Sequence, residues 1–405
     1  MVSLKAKMTI NTLHRVRMQS VEDLRETNEL KLLHIIRDRQ PISRADLVKE
    51  TGLLAGTVSV IVNRLLRAAI VNEGEAAPSS GGRPATYLQV NAEKAHAIGI
   101  NIGVEQTLYG LSDFNGRILN QRTISTGDNA EKFLTALADD IHGFLEADFR
   151  GGKLAAAGVS LPGLIDRVDG CLVRAPNLSW QNVAVKSILE RQLKLPVYVE
   201  NDANAAALAE LWYGPIEVWS AHCILFLLVV EGVGSGLILN GEVYTGSRIG
   251  MGGFGHVSVD PNGLPCSCGN IGCWETVASD QATLKRYTES TKQEPKVNSL
   301  SELIATARKG NEQARQELLK TASFIGRGIR GLAQGLAPDI VVIGGKIADA
   351  WPMIEPAINN ELKSQYLVEG ISLPRVRPAS VEQPSFYGAF PVALSSVMAT
   401  RRKAS

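Results

Sequence analysis

Three cysteines and one histidine in the second half of the chain have the residue types and the spacing of a metal site. Cys266, Cys268 and Cys273 fall within eight positions, although the 405-residue chain has only five cysteines, and His256 lies ten residues before the first of them. Three thiols and one imidazole make the closed tetrahedral set that is typical of structural Zn²⁺. The alternatives are a buried group of thiols and a redox pair. The spacing favours a zinc site formed by these four side chains.

The N-terminal part of the chain has the pattern of a helix-turn-helix. Apolar residues at helical spacing predict a first helix over 23–40. A second helix is predicted over 44–51, with Ser43 as its N-cap, and Gly52 provides the turn before a third helix over 56–69. Two short helices joined across such a turn are typical of DNA-binding proteins, in which the later helix enters a major groove.

The residues that follow could form a two-stranded wing over 71–90. Its Gly-Gly-Arg tip is cationic and suited to a narrow minor groove. The first 90 residues carry 13 lysines and arginines against 9 acidic residues, a mild excess that is consistent with DNA. The alternatives are an ordinary three-helix bundle and a simple linker. The predicted DNA-contacting residues are Ser43, Arg44, Thr57, Ser59, Asn63, Arg64 and Arg83.

From Ala97 onward the pattern is that of a duplicated α/β fold. Strands are predicted over 98–102, 107–113 and 118–123, and again 125 residues later over 223–227, 235–240 and at Val243. Both sets contain an Asn-Gly pair between apolar runs, which is a strong hairpin signal. Helices are predicted over 130–149, 183–193, 203–213, 301–308 and 313–337.

The motifs together resemble the repressor–open reading frame–kinase (ROK) family. C-x-C-G-x-x-G-C-x-E at 266–275 follows a Gly-His pair, as in that family. The stretches SRADLVKETGL (43–53), TVSVIVNRLL (57–66) and GGRP (81–84) are similar to the winged helix of ROK repressors. The resemblance covers nearly the whole chain from about residue 20.

The resemblance implies an α/β fold of the actin/hexokinase-like (ribonuclease H-like) type, with two βββαβαβ lobes and a ligand in the cleft between them. The expected domains are a winged helix-turn-helix at 1–90, a first lobe at 91–215 and a second lobe with the zinc loop at 216–405. The effector-binding residues that the resemblance implies are Gly163, Asn177, Asn201, Asp202, His256 and Glu275. Asp202 matches the general base of ROK kinases, and its alternative role is to cap the helix that follows.

The sequence departs from the family pattern at three places. ROK kinases carry an Asp-x-Gly-Gly-Thr phosphate loop, whereas the matching stretch here starts with Asn101 and contains Glu105, which would repel phosphate. The family usually has a glutamate at the position of Gly253. Leu54 stands where the family commonly has a small polar helix cap, and Gly56 stands where it has alanine. Losing that cap costs about 1 kcal/mol, so the third helix is expected to start late or fray.

These features favour a cytoplasmic transcriptional regulator of sugar-related genes, and among regulators a repressor. It is expected to bind a double-stranded DNA operator as a homodimer or homotetramer, to respond to a sugar-type effector and to have no catalytic residue. No secretory signal is expected, and the longest apolar run, Cys223–Val230, is too short to cross a membrane. The alternatives are a sugar kinase with an added DNA-binding head and a ROK regulator controlled by a protein partner.

Overall fold

The computed structural model describes residues 21–76, 85–215, 217–246, 253–291, 297–364 and 373–399. The chain divides into two compact units, Met1–Gln89 and Val90–Ser405. The predicted tip of the wing, including Arg83, lies outside the described residues.

The first unit contains the three predicted helices and a small sheet. The helices and strands are α1 (Val21–Arg39), β1 (Ile42–Ser43), α2 (Arg44–Thr51), α3 (Ala55–Arg67), β2 (Val71–Ala76) and β3 (Thr86–Val90). The sheet has the order β1-β3-β2. One apolar side of each helix is buried, and fully buried residues include Leu32, Ile36, Leu47, Val58 and Leu65.

The helix boundaries follow from local hydrogen bonding. Ser43 and Asp46 form a reciprocal capping box at the start of α2, and Gly52 ends that helix with φ 67°, a conformation that favours glycine. Leu54 precedes α3 and makes no side-chain cap, as predicted. The helix nevertheless begins at Ala55, one residue before the predicted start, because the Val58 amide donates to the Leu54 carbonyl oxygen at 3.0 Å. The prediction of a late start was therefore wrong.

The second unit contains two sheets built on one plan. Its first half has β4 (His96–Ile102), β5 (Gln106–Ser112), β6 (Ile118–Ser125), α4 (Ala130–Asp148), β7 (Leu154–Leu161), β8 (Leu164–Asp166), β9 (Cys171–Ala175), β10 (Trp180–Val183), α5 (Val185–Leu193), β11 (Val197–Asn201) and α6 (Asp202–Tyr213). The second half has α7 (Glu217–Ser220), β12 (Cys223–Val229), β13 (Val233–Leu239), β14 (Glu242–Tyr244), α8 (Glu275–Ala278), α9 (Asp280–Ser290), α10 (Leu300–Arg308), α11 (Glu312–Leu336), β15 (Ile340–Gly344), α12 (Trp351–Lys363), β16 (Arg375–Pro378) and α13 (Pro384–Ala399).

The strand orders confirm the predicted duplicated α/β fold. The first five-stranded sheet has the order β11-β7-β4-β5-β6, and the second has the matching order β14-β13-β12-β15-β16 read from its other end. In each sheet three antiparallel strands are followed by two parallel ones. The predicted hairpin turn between β13 and β14 has both Asn240 and Gly241 at positive φ, as a type I′ turn requires.

The two halves of the second unit exchange helices. The alanine-rich face of α6 packs on β12, β13 and β15 of the second sheet, although α6 follows a strand of the first sheet. The last helix, α13, packs on β4 and β7 of the first sheet. A Cβ on Gly158 would lie 1.9 Å from the Ala389 carbonyl oxygen, and one on Gly388 would lie 1.8 Å from the Ala205 carbonyl oxygen. The halves are thus joined through an α6–α13 pair that requires glycine at close approaches. Within the described residues, no helix is both long and apolar enough to span a bilayer.

Candidate functional sites

The four predicted metal ligands come together in one loop system. Their donor atoms all lie within 4.8 Å of one another. The Cys268 and Cys273 sulfur atoms are 3.6 Å apart, and the Cys266 sulfur lies 3.5 Å from His256 Nδ1. A tetrahedral zinc site with Zn–S bonds of about 2.3 Å has neighbouring sulfurs about 3.8 Å apart. The donor chemistry and the spacing therefore fit Zn²⁺, with Nδ1 as the imidazole atom that faces the thiols.

The loop keeps this shape because its backbone is closely packed and anchored. Gly272 has φ 66°, and a Cβ there would lie 1.6 Å from the Asp260 carbonyl oxygen, so only glycine fits. The next residue but one, Trp274, is buried and donates its indole N–H to the Phe324 carbonyl oxygen at 2.9 Å. Its ring lies where a Cβ on Gly328 of α11 would be. The loop that carries the predicted metal ligands is thus fixed to the core of the second half.

The electrostatics of the loop link metal binding to proton release. Burial raises the pKa of the Cys266 thiol to about 12. Burial also raises the pKa of Cys273, whereas a hydrogen bond from the Asn270 amide lowers that of Cys268. Since metal ions bind thiolates, a metal ion bound at this site would displace protons from Cys266 and Cys273.

Glu275 lies beside the metal ligands. Its Oε1 accepts a hydrogen bond from the Cys266 thiol at 2.9 Å and lies 3.3 Å from His256 Nδ1. The hydrogen bond with Glu275 raises the pKa of His256. Burial acts to raise the pKa of Glu275, but the hydrogen bonds with His256 and Cys266 and the charge of His256 together lower it. Glu275 is therefore an anion at neutral pH. It is a predicted effector residue that also contacts two of the predicted metal ligands, Cys266 and His256.

Three other predicted effector residues meet at the start of α6. Asn201 Nδ2 donates to the Gly163 carbonyl oxygen at 3.1 Å, while its Oδ1 accepts from the Ala203 amide at 2.9 Å. Asn201, rather than Asp202, is therefore the N-cap of α6, although the Asp202 carboxylate also accepts from the Ala203 amide. Gly163 has φ 110°, and a Cβ there would lie 2.5 Å from the Arg174 carbonyl oxygen.

Asn177 lies near Gly163, through the residues that follow β9. It is exposed on a short 3₁₀ turn, Pro176–Leu178, directly after β9. The residue at the end of β9, Ala175, has its Cβ 2.8 Å from the position that a Gly163 Cβ would take. Asn177 is thus two residues from the backbone that borders Gly163.

The turn between β12 and β13 lies between the α6 group and the zinc loop. A Cβ on Gly234 would lie 2.9 Å from the Ala203 Cβ, and one on Gly232 would lie 3.0 Å from Glu275 Oε2. The start of α6 in the first half therefore lies beside Gly234 at the start of β13, and Glu275 in the second half lies beside Gly232 in the turn. Of the two Glu275 carboxylate oxygens, Oε2 faces Gly232, and Oε1 faces Cys266 and His256.

Two carboxylates near this turn, Asp280 and Glu231, were missed by the sequence analysis, whereas Asp202 was predicted. Burial, with a smaller contribution from the charge of Glu231, raises the pKa of Asp202 to about 6 and that of Asp280, at the start of α9, to about 7. Glu231 is exposed in the β12–β13 turn, and the Asp280 amide donates to the Val230 carbonyl oxygen at 2.8 Å. An acidic residue, Glu231, between the two predicted strands was the only sign of this group in the sequence.

The stretch that matches the kinase phosphate loop forms the β4–β5 turn. Asn101 Oδ1 accepts a hydrogen bond from the buried Ser160 hydroxyl at 3.2 Å. The Thr126 hydroxyl donates to the Gly103 carbonyl oxygen at 2.9 Å, and the Thr126 amide donates to the Glu105 carbonyl oxygen at 2.9 Å. Glu105 is exposed at this turn, which is held by its own hydrogen bonds.

The predicted DNA-contacting residues in the first unit differ in their availability. Thr57 and Ser59 are half-buried on the flanks of α3, and Asn63 is exposed. Ser43 is buried, and its hydroxyl donates to Asp46 Oδ2 at 2.6 Å within the capping box. Ser43 therefore has a role in the fold, and Asn63 is the most available polar side chain of the set.

Both described arginines of the set are paired with carboxylates. Arg44 Nη1 donates to Glu73 Oε1 at 3.0 Å, and Arg64 Nη1 donates to Glu29 Oε2 at 2.7 Å. Arg44 also donates to Asn63 Oδ1 at 3.4 Å. These contacts hold the guanidinium groups in place beside α3, and each would have to be exchanged for a contact with phosphate or base.

The chain has relatives among known proteins. The sequence profile of the ROK family matches residues 97–395. The xylose repressor of Caldicellulosiruptor bescii is 33% identical over 336 residues, which are 80% of this chain and 84% of that protein. The family resemblance of the sequence motifs is thereby confirmed.

Solved structures agree with this relationship. The crystal structure of a ROK family transcriptional regulator, a homolog of the E. coli Mlc protein, superposes with a TM-score of 0.74 at 25% identity, covering 92% of this chain and 96% of that one. A ROK family glucokinase from Streptomyces griseus, solved with glucose and AMPPNP, has a TM-score of 0.66 at 26% identity and covers 74% of this chain and 100% of its own. Because the family profile spans well over half of its residues, the chain belongs to the ROK family.

Proposed function

We propose that the protein is a sugar-responsive, DNA-binding transcriptional regulator, and that it acts as a repressor. The observation that carries the proposal is the separate N-terminal unit, in which α3 follows α2 across Gly52 and has an exposed outer face. The alignment with the transcriptional regulator includes 92% of the chain, whereas the glucokinase alignment leaves out about a quarter of it. The xylose repressor relative is named for the same class of function.

In this proposal α3 enters the major groove of an operator. Thr57, Ser59 and Asn63 supply polar contacts from α3, and Arg44 and Arg64 exchange their carboxylate partners for phosphates. Arg83 belongs to the wing that would follow the backbone into the minor groove. A palindromic operator requires two copies of the head, so the protein acts as a homodimer or homotetramer.

The effector lies against the glycine-rich turn between the halves of the second unit. Asn201 and Asp202 approach from the start of α6, Glu275 and His256 approach from the zinc loop, and the Gly163 and Asn177 turns complete the site. Gly253 brings no side chain where the family has a glutamate, so one charged hydrogen bond to a sugar is missing. The ligand class is a sugar or a sugar derivative.

The proposed zinc ion has a structural role. His256, Cys266, Cys268 and Cys273 would hold it, and their closed set leaves no position open for substrate. When bound, the ion supplies crosslinking of the loop and fixes the orientation of the His256 ring. Glu275 is positioned by the same loop, so zinc shapes the effector site without taking part in a reaction.

The charges around the cleft oppose phosphoryl transfer. Phosphoryl transfer depends on positioning and on neutralising the phosphate charge. Glu105 is exposed in the first turn and Glu231 in the second, where each would repel a nucleotide, and Asn101 is an amide committed to Ser160. The observation that favours a kinase is Asp202, whose raised pKa of about 6 suits a general base. Turnover of ATP with a hexose that is abolished by Asp202→Asn would support the kinase.

The proposal is tested by capturing fragments of the source genome with the purified full-length protein at near-physiological salt, followed by sequencing. We expect a few sites that share an inverted repeat, and the neighbouring genes would then indicate which sugars to test. Binding that is sensitive to salt but blind to sequence would contradict the regulator proposal.

A further inference from the structure

The outer face of α3 carries an apolar side chain at its centre. Val58, Ile61, Val62 and Leu65 form the buried face, and Val60 lies on the opposite face with 60% of its surface exposed. Helical spacing places Gly56, four residues earlier, and Arg67, seven residues later, on the same outer face, and both are exposed.

A second apolar side chain stands at the start of the same helix. Leu54 is 79% exposed and occupies the N-cap position without capping the helix. An apolar residue at an N-cap costs about 1 kcal/mol relative to serine or aspartate. A β-branched residue such as Val60 also has a lower helix propensity than most alternatives. Because both side chains are exposed, burial does not offset the helix stability that each residue costs. The fold therefore does not explain why apolar residues occupy these two positions.

A partner protein is a poor match for this face. The apolar surface is one residue wide along the helix and is bordered by Asn63 and Arg67, whereas a stable protein interface buries roughly 1,200 Å² or more. The first turn of α3 has no acidic residue, and its last turn has the exposed Arg67 and Arg64, which is paired with Glu29. A helix with an open N-terminus and cationic side chains favours a polyanion.

We infer that Val60 and Leu54 contact thymine 5-methyl groups in the major groove and so help to determine the operator sequence. The thymine methyl is the apolar group that base pairs present in that groove, and apolar side chains recognise it. This inference rests on the proposed function, because it requires α3 to lie in the major groove. Gly56 adds no side chain on this face and allows the helix to approach the bases closely.

The test uses an operator duplex recovered by genomic capture with the wild-type full-length protein. Each thymine is replaced singly by 2′-deoxyuridine, which lacks only the 5-methyl group, and the Kd is measured at one fixed salt concentration. At one or two thymines in each half-site, we expect binding to weaken about fourfold, the ratio that corresponds to about 0.8 kcal/mol for one buried methyl group. For Val60→Ala the thymine-to-uracil ratio at one of these positions should fall to near one.

Val168→Ala is the matched control, because Val168 is 64% exposed and lies in the second unit. This variant should keep the wild-type ratio at every position. Val60→Thr, which keeps one methyl group, should retain part of the discrimination.

The outcomes separate the inference from the proposed function. If the wild-type protein selects an operator but every uracil substitution is neutral, or if Val60→Ala and Leu54→Ala keep the wild-type ratios, the inference is wrong and the regulator proposal stands. If the wild-type protein selects no operator, the proposed function fails, and the inference fails with it.

Discussion

At the scale of single residues, the four predicted zinc ligands lead to a prediction about metal content. Cys268→Ser removes one of four ligands, so we expect the purified protein to lose the roughly one Zn²⁺ per chain that the wild type should contain. Elemental analysis of both proteins measures this. Cys171→Ser is the control, because Cys171 lies on β9, away from the loop, and should leave the zinc content unchanged. Equal zinc in the Cys268→Ser and wild-type proteins would contradict the assignment of ligands.

Asp280 makes a prediction about pH. Burial raises the pKa of Asp280 to about 7, with a further contribution from Glu231. A carboxyl whose pKa is raised by folding opposes the fold once it ionises, so this cost is absent below about pH 4 and grows until the pH passes about 7. Asp280→Asn removes it. We therefore expect the Tm of this variant, relative to wild type, to be higher at pH 8 than at pH 5.

The control for this measurement is Asp349→Asn, since Asp349 is exposed. Its Tm difference from wild type should be the same at both pH values. If the Tm difference of Asp280→Asn were also independent of pH between 5 and 8, the cost assigned to the buried carboxylate would not exist.

At the scale of elements, α3 contains a glycine that packing does not require. A Cβ on Gly56 would meet nothing within 4 Å, and the residue lies within the helix. Gly56→Ala should raise the free energy of unfolding of the N-terminal unit by about 0.5–1 kcal/mol, because alanine loses less backbone entropy in a helix. Denaturant unfolding followed by helical circular dichroism measures it.

Gly52→Ala is the opposing control for Gly56→Ala. Space is also open at Gly52, but its φ of 67° is the left-handed region, so alanine there should lower the free energy of unfolding by about 1–2 kcal/mol. Stabilisation by both variants, or by neither, would contradict the conformations assigned to these two glycines.

Local features of the helices, strands and turns were predictable from the sequence, whereas contacts between distant segments were not. Ser43 with Asp46 and the Asn240-Gly241 turn act through local hydrogen bonds, so the sequence predicted them. The grouping of His256 with the three cysteines was predictable because all four lie within one short stretch. The proximity of Asp202 to Glu231 in the β12–β13 turn depends on contacts between segments that are distant in the sequence, so no local pattern predicts it. Val60 was not among the predicted DNA-contacting residues, because that set contained only polar and charged side chains.

At the scale of the whole molecule, the exchanged helices of the second unit connect its two halves. Buried Glu210 on α6 accepts from Arg377 on β16 at 2.5 Å and from the Ser380 amide at 3.0 Å, which fixes α6 to the second sheet. The α13 helix lies on the first sheet. A ligand that draws Asp202 and Glu275 together therefore acts on the α6–α13 pair, and differential affinity for two arrangements of the halves is sufficient for coupling.

In the proposed regulator, a sugar in the cleft changes the affinity for DNA. The most direct measurement is the Kd of the captured operator for the full-length protein, with and without each candidate sugar, for wild type and for Glu275→Ala. We expect one sugar to weaken operator binding about 5-fold to 150-fold in the wild type, the range of typical coupling free energies, and to have little effect on Glu275→Ala. Operator affinity that is unchanged by every sugar that binds the protein would contradict the account.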